Sequence, residues 1–357
     1  MERTRLTRAP RFAMRLFLMA AFILLLLSGS SWSHADQAED TQEQNDAMSP
    51  AARLNLRGPT FGGKQLWSDE TVFREWRIQR NSITGHYRLL DETNKRRVWG
   101  TFEHCREKLE RLKQDLDLPP LRGKVVIVLH GLFRSRASMA ELCDYLSEQG
   151  EFTALNVSYA STRSDLNAHA AGLARVIEFL GPEVVEINFV AHSLGNLVIR
   201  RYLACCYKGS DGFRADPRIH RFVMLAPPNR GARLAEYFKG SKLVKWVWGD
   251  SVTELAAPSD ELQKRLAVPR CQFAIIAGGK SDPDGRNRLI PGDDDFVVTV
   301  EETKLAGARD FVVIPTLHSF IMNDTTTREY TSRFLEHGHF VSESLRRPIA
   351  PETDTGP

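Results

Sequence analysis

The sequence contains few cysteines, and their spacing excludes the usual metal-binding patterns. An odd number leaves at least one cysteine unpaired if the others form disulfides. One disulfide could form in an oxidising compartment, but buried free thiols are the interpretation that we favour. The five cysteines are Cys105, Cys143, Cys205, Cys206 and Cys271.

The N-terminal segment lacks an apolar run long enough to span a membrane comfortably. Residues 16–27 form an unbroken apolar run of 12 residues, which is short for a spanning helix and typical of the centre of a signal peptide. A basic stretch precedes it, and Ser33 and Ala35 suit a cleavage site before Asp36. We therefore expect residues 1–35 to be a signal peptide and the protein to be periplasmic or secreted. An uncleaved membrane anchor is the alternative.

The mature chain has no surplus of charge of either sign. Residues 1–35 carry five Arg and one Glu, so the formal charge of +3 for the whole chain becomes about −1 for residues 36–357. Without a basic surplus, nothing favours a nucleic-acid partner. The composition, 42% hydrophobic and 26% charged, is that of a globular protein and excludes a disordered or fibrous chain.

The pattern of the sequence divides the chain into five regions. They are a signal peptide (1–35), a flexible tether (36–60), an N-terminal extension (61–120), a main domain (121–346) and a loose tail (347–357). The extension contains two β-like runs, 73–79 and 86–90, on either side of a hairpin turn, and an amphipathic helix at 102–116. The tether is rich in polar residues and has no core to bury.

Short apolar segments alternate with helix-like segments throughout the main domain. The predicted strands are 125–129, 152–157, 184–190, 222–225, 273–277 and 311–314. The predicted helices are 137–148, 165–180, 194–206 and, at the end, 325–346. This alternation predicts an α/β fold, with a mostly parallel sheet and helices on both faces.

One junction between a strand and a helix carries the strongest chemical signal. It reads Val190-Ala191-His192-Ser193-Leu194-Gly195. A serine hydroxyl is a poor nucleophile unless it is exposed, close to a base and beside donors for an oxyanion. Small residues two positions before and after the serine, here Ala191 and Gly195, allow a sharp turn that lifts the hydroxyl above the sheet. We predict that Ser193 is a nucleophile; an ordinary strand–helix junction is the alternative.

The segment Leu129-His130-Gly131-Leu132 follows the first parallel strand. A loop at this place can direct a backbone N–H toward an oxyanion, and a second N–H comes from the residue after the nucleophile. We predict that Leu132 and Leu194 are these two donors. The alternative is that His130-Gly131 simply ends the strand.

The position of His318 favours it as the base. In a serine hydrolase of this topology, the acid and then the histidine follow the serine in the chain. His318 comes just after the strand at 311–314, in a loop expected at the same edge of the sheet as the nucleophile turn. His220 precedes its strand, whereas His337 and His339 lie near the end of the last helix.

Three adjacent aspartates, Asp293, Asp294 and Asp295, are the candidate acids. One carboxylate must accept a hydrogen bond from the histidine ring and hold its tautomer. Spacing alone does not choose among the three. A calcium ion at Asp282, Asp284 or Asp293 is conceivable, although a solvated loop is the favoured interpretation.

Four segments resemble the lipase and esterase branch of the α/β-hydrolases. They are Val128-Leu129-His130-Gly131-Leu132, Ala191-His192-Ser193-Leu194-Gly195, Leu225-Ala226-Pro227-Pro228-Asn229-Arg230-Gly231 and Asp294-Asp295-Phe296-Val297-Val298-Thr299-Val300. The fourth is similar to the family's acid motif, and its valines place the acid on Asp295, with Phe296 where the family has glycine. The third is similar to a loop that opens a lid, which implies a lid insertion after the sixth strand, at about 229–265. The resemblance covers residues 121–345, and the N-terminal hairpin could supply the first antiparallel strands of the sheet.

Together these features predict a carboxylic-ester hydrolase that acts through Ser193, Asp295, His318 and an acyl-enzyme, with no need for a cofactor or metal. Apolar residues and lysines in the predicted lid suit an acyl chain or an anionic lipid surface. The expected partners are therefore an ester or lipid substrate and, peripherally, a membrane surface. A thioesterase or acyltransferase on the same triad is one alternative, and a non-catalytic binding protein that keeps the fold is another.

Overall fold

The computed structural model describes residues 63–209, 213–231, 259–287 and 290–351. The predicted signal peptide, the predicted tether and the last six residues lie outside these ranges. Most of the predicted lid, residues 232–258, also lies outside them. Within the described ranges, no helix is both long enough and apolar enough to cross a bilayer.

A four-stranded antiparallel sheet forms the N-terminal part of the described chain. Its strands, in their order across the sheet, are β1 (Trp67–Phe73), β2 (Trp76–Asn81), β3 (Tyr87–Leu90) and β4 (Arg96–Gly100). The prediction of a single strand at 73–79 is wrong, because these residues include the turn between β1 and β2, where Arg74 has a φ of 54°. The expectation that a hairpin here extends the main sheet is also wrong, because these strands form a sheet of their own.

Six parallel strands form the main sheet. They are β5 (Gly123–Leu129), β6 (Phe152–Val157), β7 (Val184–His192), β8 (Ile219–Leu225), β9 (Gln272–Gly278) and β10 (Asp310–Ile314). Their order across the sheet is β10-β9-β8-β7-β5-β6, and every neighbouring pair is parallel. The carboxyl ends of all six strands therefore meet at one edge.

Helices connect these strands. They are α1 (Phe102–Asp115), α2 (Ala140–Gln149), α3 (Leu166–Glu178), α4 (Leu194–Lys208), α5 (Ser259–Arg265), α6 (Val300–Thr303) and α7 (Thr325–His337). The side chains of Thr101 and Asp165 cap the first turns of α1 and α3. The expectation that the last helix continues to residue 346 is wrong, because Gly338 adopts a left-handed conformation with φ 78° and ends α7.

Apolar side chains cover both faces of the main sheet. Along β5, Val125, Ile127 and Leu129 belong to one core cluster, whereas Val126 and Val128 belong to another. Side chains alternate between the two faces of a strand, so the clusters lie on opposite sides of the sheet. Helices α3 and α4 supply the first cluster, and α2 and α7 the second. The predicted fold class, a mostly parallel sheet with helices on both faces, is confirmed.

A buried ion pair joins the small N-terminal sheet to the end of β6. Nη1 of Arg77 lies 2.8 Å from Oδ2 of Asp69, and the two side chains are 1% and 0% exposed. The same carboxylate oxygen accepts the N–H of Ser158 at 2.7 Å, and Arg77 donates to the carbonyl of Asn156 at 2.8 Å. An unpaired charge at this depth would be strongly unfavourable. These bonds therefore fix the small sheet at the carboxyl edge of the main sheet.

The start of the predicted loose tail, 347–357, is hydrogen-bonded to the main domain. Ile349 forms backbone hydrogen bonds with Gly307 and Ala308, at 3.0 and 2.9 Å. The N–H of Arg347 donates to Oδ1 of Asp310 at 2.9 Å. The predicted loose tail is therefore held in place to at least Ile349.

Candidate active site

Ser193 occupies the turn between β7 and α4. Its φ is 53° and its ψ is −120°, a combination that residues with a side chain rarely adopt. The N–H of Ser193 donates to the carbonyl of Leu225 at 3.0 Å, and the amide of Asn196 donates to the carbonyl of Ser193 at 3.0 Å. These bonds hold a strained turn of the kind that presents a serine hydroxyl above a sheet.

Close contacts explain the small residues around the serine. A β-carbon on Gly195 would lie 2.8 Å from the carbonyl oxygen of His130. A β-carbon on Gly131 would lie 2.8 Å from Nδ1 of His192 and 3.1 Å from the β-carbon of Ser193. The turn and the loop after β5 therefore pack so closely that both positions need glycine.

The structure brings Ser193, His318 and Asp295 into one chain of hydrogen bonds. Nε2 of His318 lies 2.9 Å from Oγ of Ser193, and Nδ1 lies 2.7 Å from Oδ2 of Asp295. Their exposed fractions are 9%, 3% and 0% for the serine, the histidine and the aspartate. A carboxylate accepts only, so Nδ1 carries the proton and Nε2 keeps a lone pair for the serine hydroxyl.

The hydrogen bonds separate the three candidate acids. Oδ1 of Asp295 accepts the N–H groups of Val297 and Val298, at 3.0 and 2.8 Å, while its other oxygen meets His318. The carboxylate of Asp293 accepts backbone N–H groups at 2.6 and 2.9 Å and serves the loop after β9. The carboxylate of Asp294 accepts the backbone N–H groups of Arg286, Asn287 and Phe296. Of the three, Asp295 is the one that the structure places against the histidine.

The two residues predicted to be oxyanion donors, Leu132 and Leu194, lie in the loop after β5 and at the start of α4. Leu194 is the first residue of α4, so no carbonyl of its own helix accepts its N–H. Leu132 lies in the turn after β5, where the N–H of Arg134 donates to the carbonyl of Gly131 at 3.2 Å. Within the described residues, neither leucine N–H has a hydrogen-bond partner. Both N–H groups are therefore free to donate, as the predicted role requires.

Three features together identify the fold. They are a parallel sheet, a strained serine turn after a central strand, and an aspartate and a histidine that follow in this order at the same edge of the sheet. The chain has the α/β-hydrolase fold. The fold that the sequence resemblance implied is thereby confirmed. Residues 122–263 match the model of a family described as "Putative serine esterase (DUF676)". A search of curated proteins finds no match.

Lipases and esterases are among the solved structures that are similar to this chain. A lipase from Bacillus licheniformis in its mature form is 17% identical, with a TM-score of 0.43, over 61% of this chain and 91% of that one. A metagenomic carboxyl esterase is 15% identical, with a TM-score of 0.43, over 57% of this chain and 68% of that one. A phospholipase from Legionella pneumophila is 18% identical, with a TM-score of 0.38, over 51% of this chain. The chain spans 45% of the length of that phospholipase.

The chain departs at Phe296 from the acid motif of the family that its sequence resembles. The residue has a φ of 85°, the left-handed region in which glycine is favoured. Its N–H donates to Asp294 at 2.6 Å, and its carbonyl accepts from the side chain of Asn287 at 2.9 Å. The loop therefore keeps a glycine-like backbone without a glycine, held by bonds on both sides of the strained residue.

Sequence reasoning missed the contribution of Gly278, the last residue of β9. A β-carbon at this position would lie 2.7 Å from the β-carbon of Asp295 and 3.1 Å from the carbonyl of Thr316. The acid and the loop that carries His318 therefore pack directly on a bare backbone. A glycine at the carboxyl end of a predicted core strand was the available signal.

Two buried histidines, His192 and His130, lie beside the site, and the sequence did not indicate their contacts there. Nε2 of His192 lies 2.9 Å from the carbonyl of His318 and must be the donor. Burial, followed by the neighbouring His318, holds the pKa of His192 well below its usual value. Burial lowers the pKa of His130 to about 4, and its ring stacks on Tyr159 with centroids 4.4 Å apart. Both rings are therefore neutral at neutral pH.

The structure places the rejected histidines away from the serine. His220 lies in β8 near its start, 3.1 Å from Glu186, at the opposite edge of the sheet. His337 ends α7 and is exposed, and His339 follows it. Of these histidines and His318, only His318 is hydrogen-bonded to the serine.

The aspartates considered for calcium serve the loop itself. Asp282 accepts the N–H of Asp284 at 3.0 Å, and Asp293 holds the N–H groups of Lys280 and Ser281. In the part of the chain that the structure describes, no group of three or more acidic, histidine or cysteine side chains could hold a metal ion. All five cysteines, which lie within that part, are free thiols.

Proposed function

We propose that this protein is a carboxylic-ester hydrolase in which Ser193 is the nucleophile, His318 the base and Asp295 the acid. The observation that carries the proposal is the unbroken chain of hydrogen bonds from Oγ of the serine to the buried carboxylate, at 2.9 and 2.7 Å. A buried histidine that meets a hydroxyl on one nitrogen and a carboxylate on the other is arranged to move a proton.

The reaction that this geometry supports has two halves. Oγ of Ser193 attacks the ester carbonyl carbon while its proton moves to Nε2 of His318. The N–H groups of Leu132 and Leu194 hold the resulting oxyanion. The histidine then gives the proton to the oxygen of the leaving alcohol, the carbon–oxygen bond breaks, and an acyl-serine remains.

Water completes the second half by the same steps. His318 takes a proton from the water, whose oxygen adds to the acyl carbon. The bond to Oγ of Ser193 breaks, the proton returns to Oγ, and the carboxylic acid leaves. Asp295 stabilises the imidazolium that forms twice in this cycle. Two backbone N–H groups donate to its other oxygen and hold the buried carboxylate in place against the histidine.

The same acyl-serine would form from a thioester, and an alcohol could replace water in the second half. A thioesterase or an acyltransferase is therefore a variant of this proposal. We favour acyl esters, lipid esters among them, because the family match and the sequence resemblance both indicate an esterase. A non-catalytic role is disfavoured by the intact serine, histidine and aspartate.

Replacing Ser193 tests the proposal directly. Ser193→Ala should lower the turnover of a soluble short-chain ester by on the order of 10⁴–10⁶-fold, because the nucleophile is lost. Ser332→Ala is the matched control, since this serine is also buried but lies on α7. The proposal is wrong if Ser193→Ala keeps more than about a tenth of the wild-type turnover.

We also propose that the protein is exported. Support comes from the basic start, the apolar run at 16–27 and the small residues before Asp36. Cell fractionation followed by N-terminal sequencing should find a chain that begins at Asp36 outside the cytoplasm. An intact N-terminus in the membrane fraction would instead favour an uncleaved anchor.

An aromatic cluster on the N-terminal sheet supports a peripheral contact with anionic lipid. The ring of His86 packs edge-on against Trp67 and Trp99, with centroids 5.1 and 5.9 Å away. The guanidinium of Arg88 lies 3.8 Å from the centre of the Trp67 ring. Trp99 is 45% exposed. Exposed tryptophan beside arginine suits a lipid headgroup region.

Vesicle binding tests this contact. Trp99→Ser in the processed chain should weaken sedimentation with vesicles that contain anionic phospholipid. Val185→Ser is the matched control, because Val185 is 67% exposed but lies on the main sheet. Equal binding by the wild type and both variants would remove the aromatic cluster as the contact.

A further inference from the structure

The backbone carbonyls of His318 and Ser319 each accept a hydrogen bond from a buried side chain. We call residues 315–319 the base loop and residues 130–134 the oxyanion loop. Nε2 of His192 donates to the carbonyl of His318 at 2.9 Å, and Nη2 of Arg134 donates to the carbonyl of Ser319 at 2.9 Å. His192 belongs to the nucleophile turn, and Arg134 ends the oxyanion loop. The three loops that would carry the reaction are therefore tied to one another.

Arg134 is unusual because it is a buried cation. The residue is 5% exposed, and within the described residues no carboxylate lies within ion-pair distance of its guanidinium. Burial lowers the pKa of Arg134, yet a guanidinium stays charged at any ordinary pH. Burying a cation without a counter-ion is costly. Such a group is more readily explained by a role in the site than by a contribution to stability.

Gln65 connects this arginine to the N-terminal part of the chain. Its Nε2 donates to the carbonyl of Arg134 at 2.8 Å. Its Oε1 accepts the hydroxyl of Ser161 at 3.1 Å. Gln65 lies in the short helix Gly63–Leu66, which leads directly into β1. The segment before the main domain therefore reaches the oxyanion loop through one side chain.

We propose that Arg134 is a positioning residue of the ester hydrolysis, and that Gln65 anchors it. The guanidinium holds the base loop against the oxyanion loop. The N–H of Leu132 and Nε2 of His318 consequently keep a fixed geometry around Ser193 as charge develops on the substrate oxygen. This inference rests on the proposed function, and it gives the N-terminal extension a part in that function.

The expected consequence is a loss of rate without a matching loss of substrate binding. Arg134 touches loop carbonyls, so its removal should displace groups that act in the transition state. A displacement of about 1 Å in such groups costs on the order of 100-fold in rate. We therefore expect Arg134→Gln to lower kcat by at least about 10-fold while KM changes by less than about 3-fold.

Four variants of the full chain test the inference. Arg134→Gln removes the charge, Arg134→Lys keeps it, and Gln65→Leu removes only the anchor. Arg136→Gln is the matched control, because Arg136 lies two residues further on and donates to Glu75 and Asn94, away from the base loop. Each variant is measured for kcat and KM on a soluble ester and for inhibition by an alkyl boronic acid. The boronic acid mimics the tetrahedral state when it adds to Ser193.

We expect kcat and boronate affinity to fall together in Arg134→Gln. Arg134→Lys should recover part of the loss, Gln65→Leu should show a smaller loss of the same kind, and Arg136→Gln should show none. If Arg134→Gln does not fold, as judged by circular dichroism, Arg134→Lys and Gln65→Leu decide the question. Wild-type kcat and boronate affinity in every folded variant, or equal losses in Arg136→Gln, would overturn the inference alone. A wild-type protein that hydrolyses no ester would overturn the proposed function as well.

Discussion

Replacing Asp295 by asparagine should stop turnover while leaving the shape of the site almost unchanged. Oδ1 of Asp295 accepts two backbone N–H groups, and an amide oxygen in the same place can accept both. The amide nitrogen would then face Nδ1 of His318, which lies 2.7 Å from the carboxylate in the native protein. Because that nitrogen donates, Nδ1 must become the acceptor and the proton moves to Nε2.

The wrong tautomer removes the base. Nε2 would then point a proton at Oγ of Ser193, 2.9 Å away, and could not take the hydroxyl proton. In serine proteases, for which this effect is documented, such a change lowers kcat by about 10⁴-fold. We expect a loss of that order in kcat for a soluble ester, with circular dichroism and the unfolding temperature close to those of the wild type.

The neighbouring aspartates, Asp293 and Asp294, provide the controls for Asp295→Asn. Asp293→Asn and Asp294→Asn alter carboxylates that bind backbone N–H groups of the loop, at 2.6 to 3.1 Å, and neither meets the histidine. Asp294 is 0% exposed, so its variant should lose stability, about 1–3 kcal/mol, more than intrinsic activity. Equal losses of kcat in all three folded variants would refute the tautomer argument.

Three further outcomes are expected. His318→Ala should be nearly as inactive as loss of the nucleophile, whereas His337→Ala should retain wild-type kcat; the reverse pattern would move the base to the C-terminal helix. Gly278→Ala should lower kcat on a soluble ester, because the new β-carbon would lie 2.7 Å from that of the acid; an unchanged kcat would show that the loop can move aside. The free energy of unfolding should fall between pH 7.5 and pH 5, because burial lowers the pKa values of His130 and His169 to about 4 while the unfolded chain titrates near 6.5. The loss at pH 5 should be roughly 2 kcal/mol for each histidine, measured by urea unfolding, and an unchanged free energy would contradict the buried neutral rings.

The sheet and the serine turn could be predicted because they follow from local patterns. A run of five apolar residues, 125–129, marks β5, and a strand buried on both faces favours such a run. In β7 the apolar residues are interrupted only by Glu186 and Asn188. The small residues Ala191 and Gly195 mark the turn, and at Gly195 the turn packs too closely against the loop after β5 to admit a β-carbon. The order of serine, acid and histidine along the chain then restricted the partners to a few candidates.

The rest depends on contacts that the sequence does not display. The turn at Arg74 has no glycine or proline, so the run 73–79 read as one strand. The role of Arg134 depends on a hydrogen bond to Ser319, which lies 185 residues away, and that of His192 on one to His318, 126 residues away. Only the folded chain brings such groups together.

A fluorophosphonate probe tests the central claim most directly, because it reacts with a serine only when a base and oxyanion donors activate the hydroxyl. The folded protein would be incubated with the probe, digested, and its peptides analysed by mass spectrometry. We expect one adduct, on Ser193, that is absent from Ser193→Ala and formed much more slowly in His318→Ala. An adduct on another serine, or none on a folded wild-type protein, would contradict it.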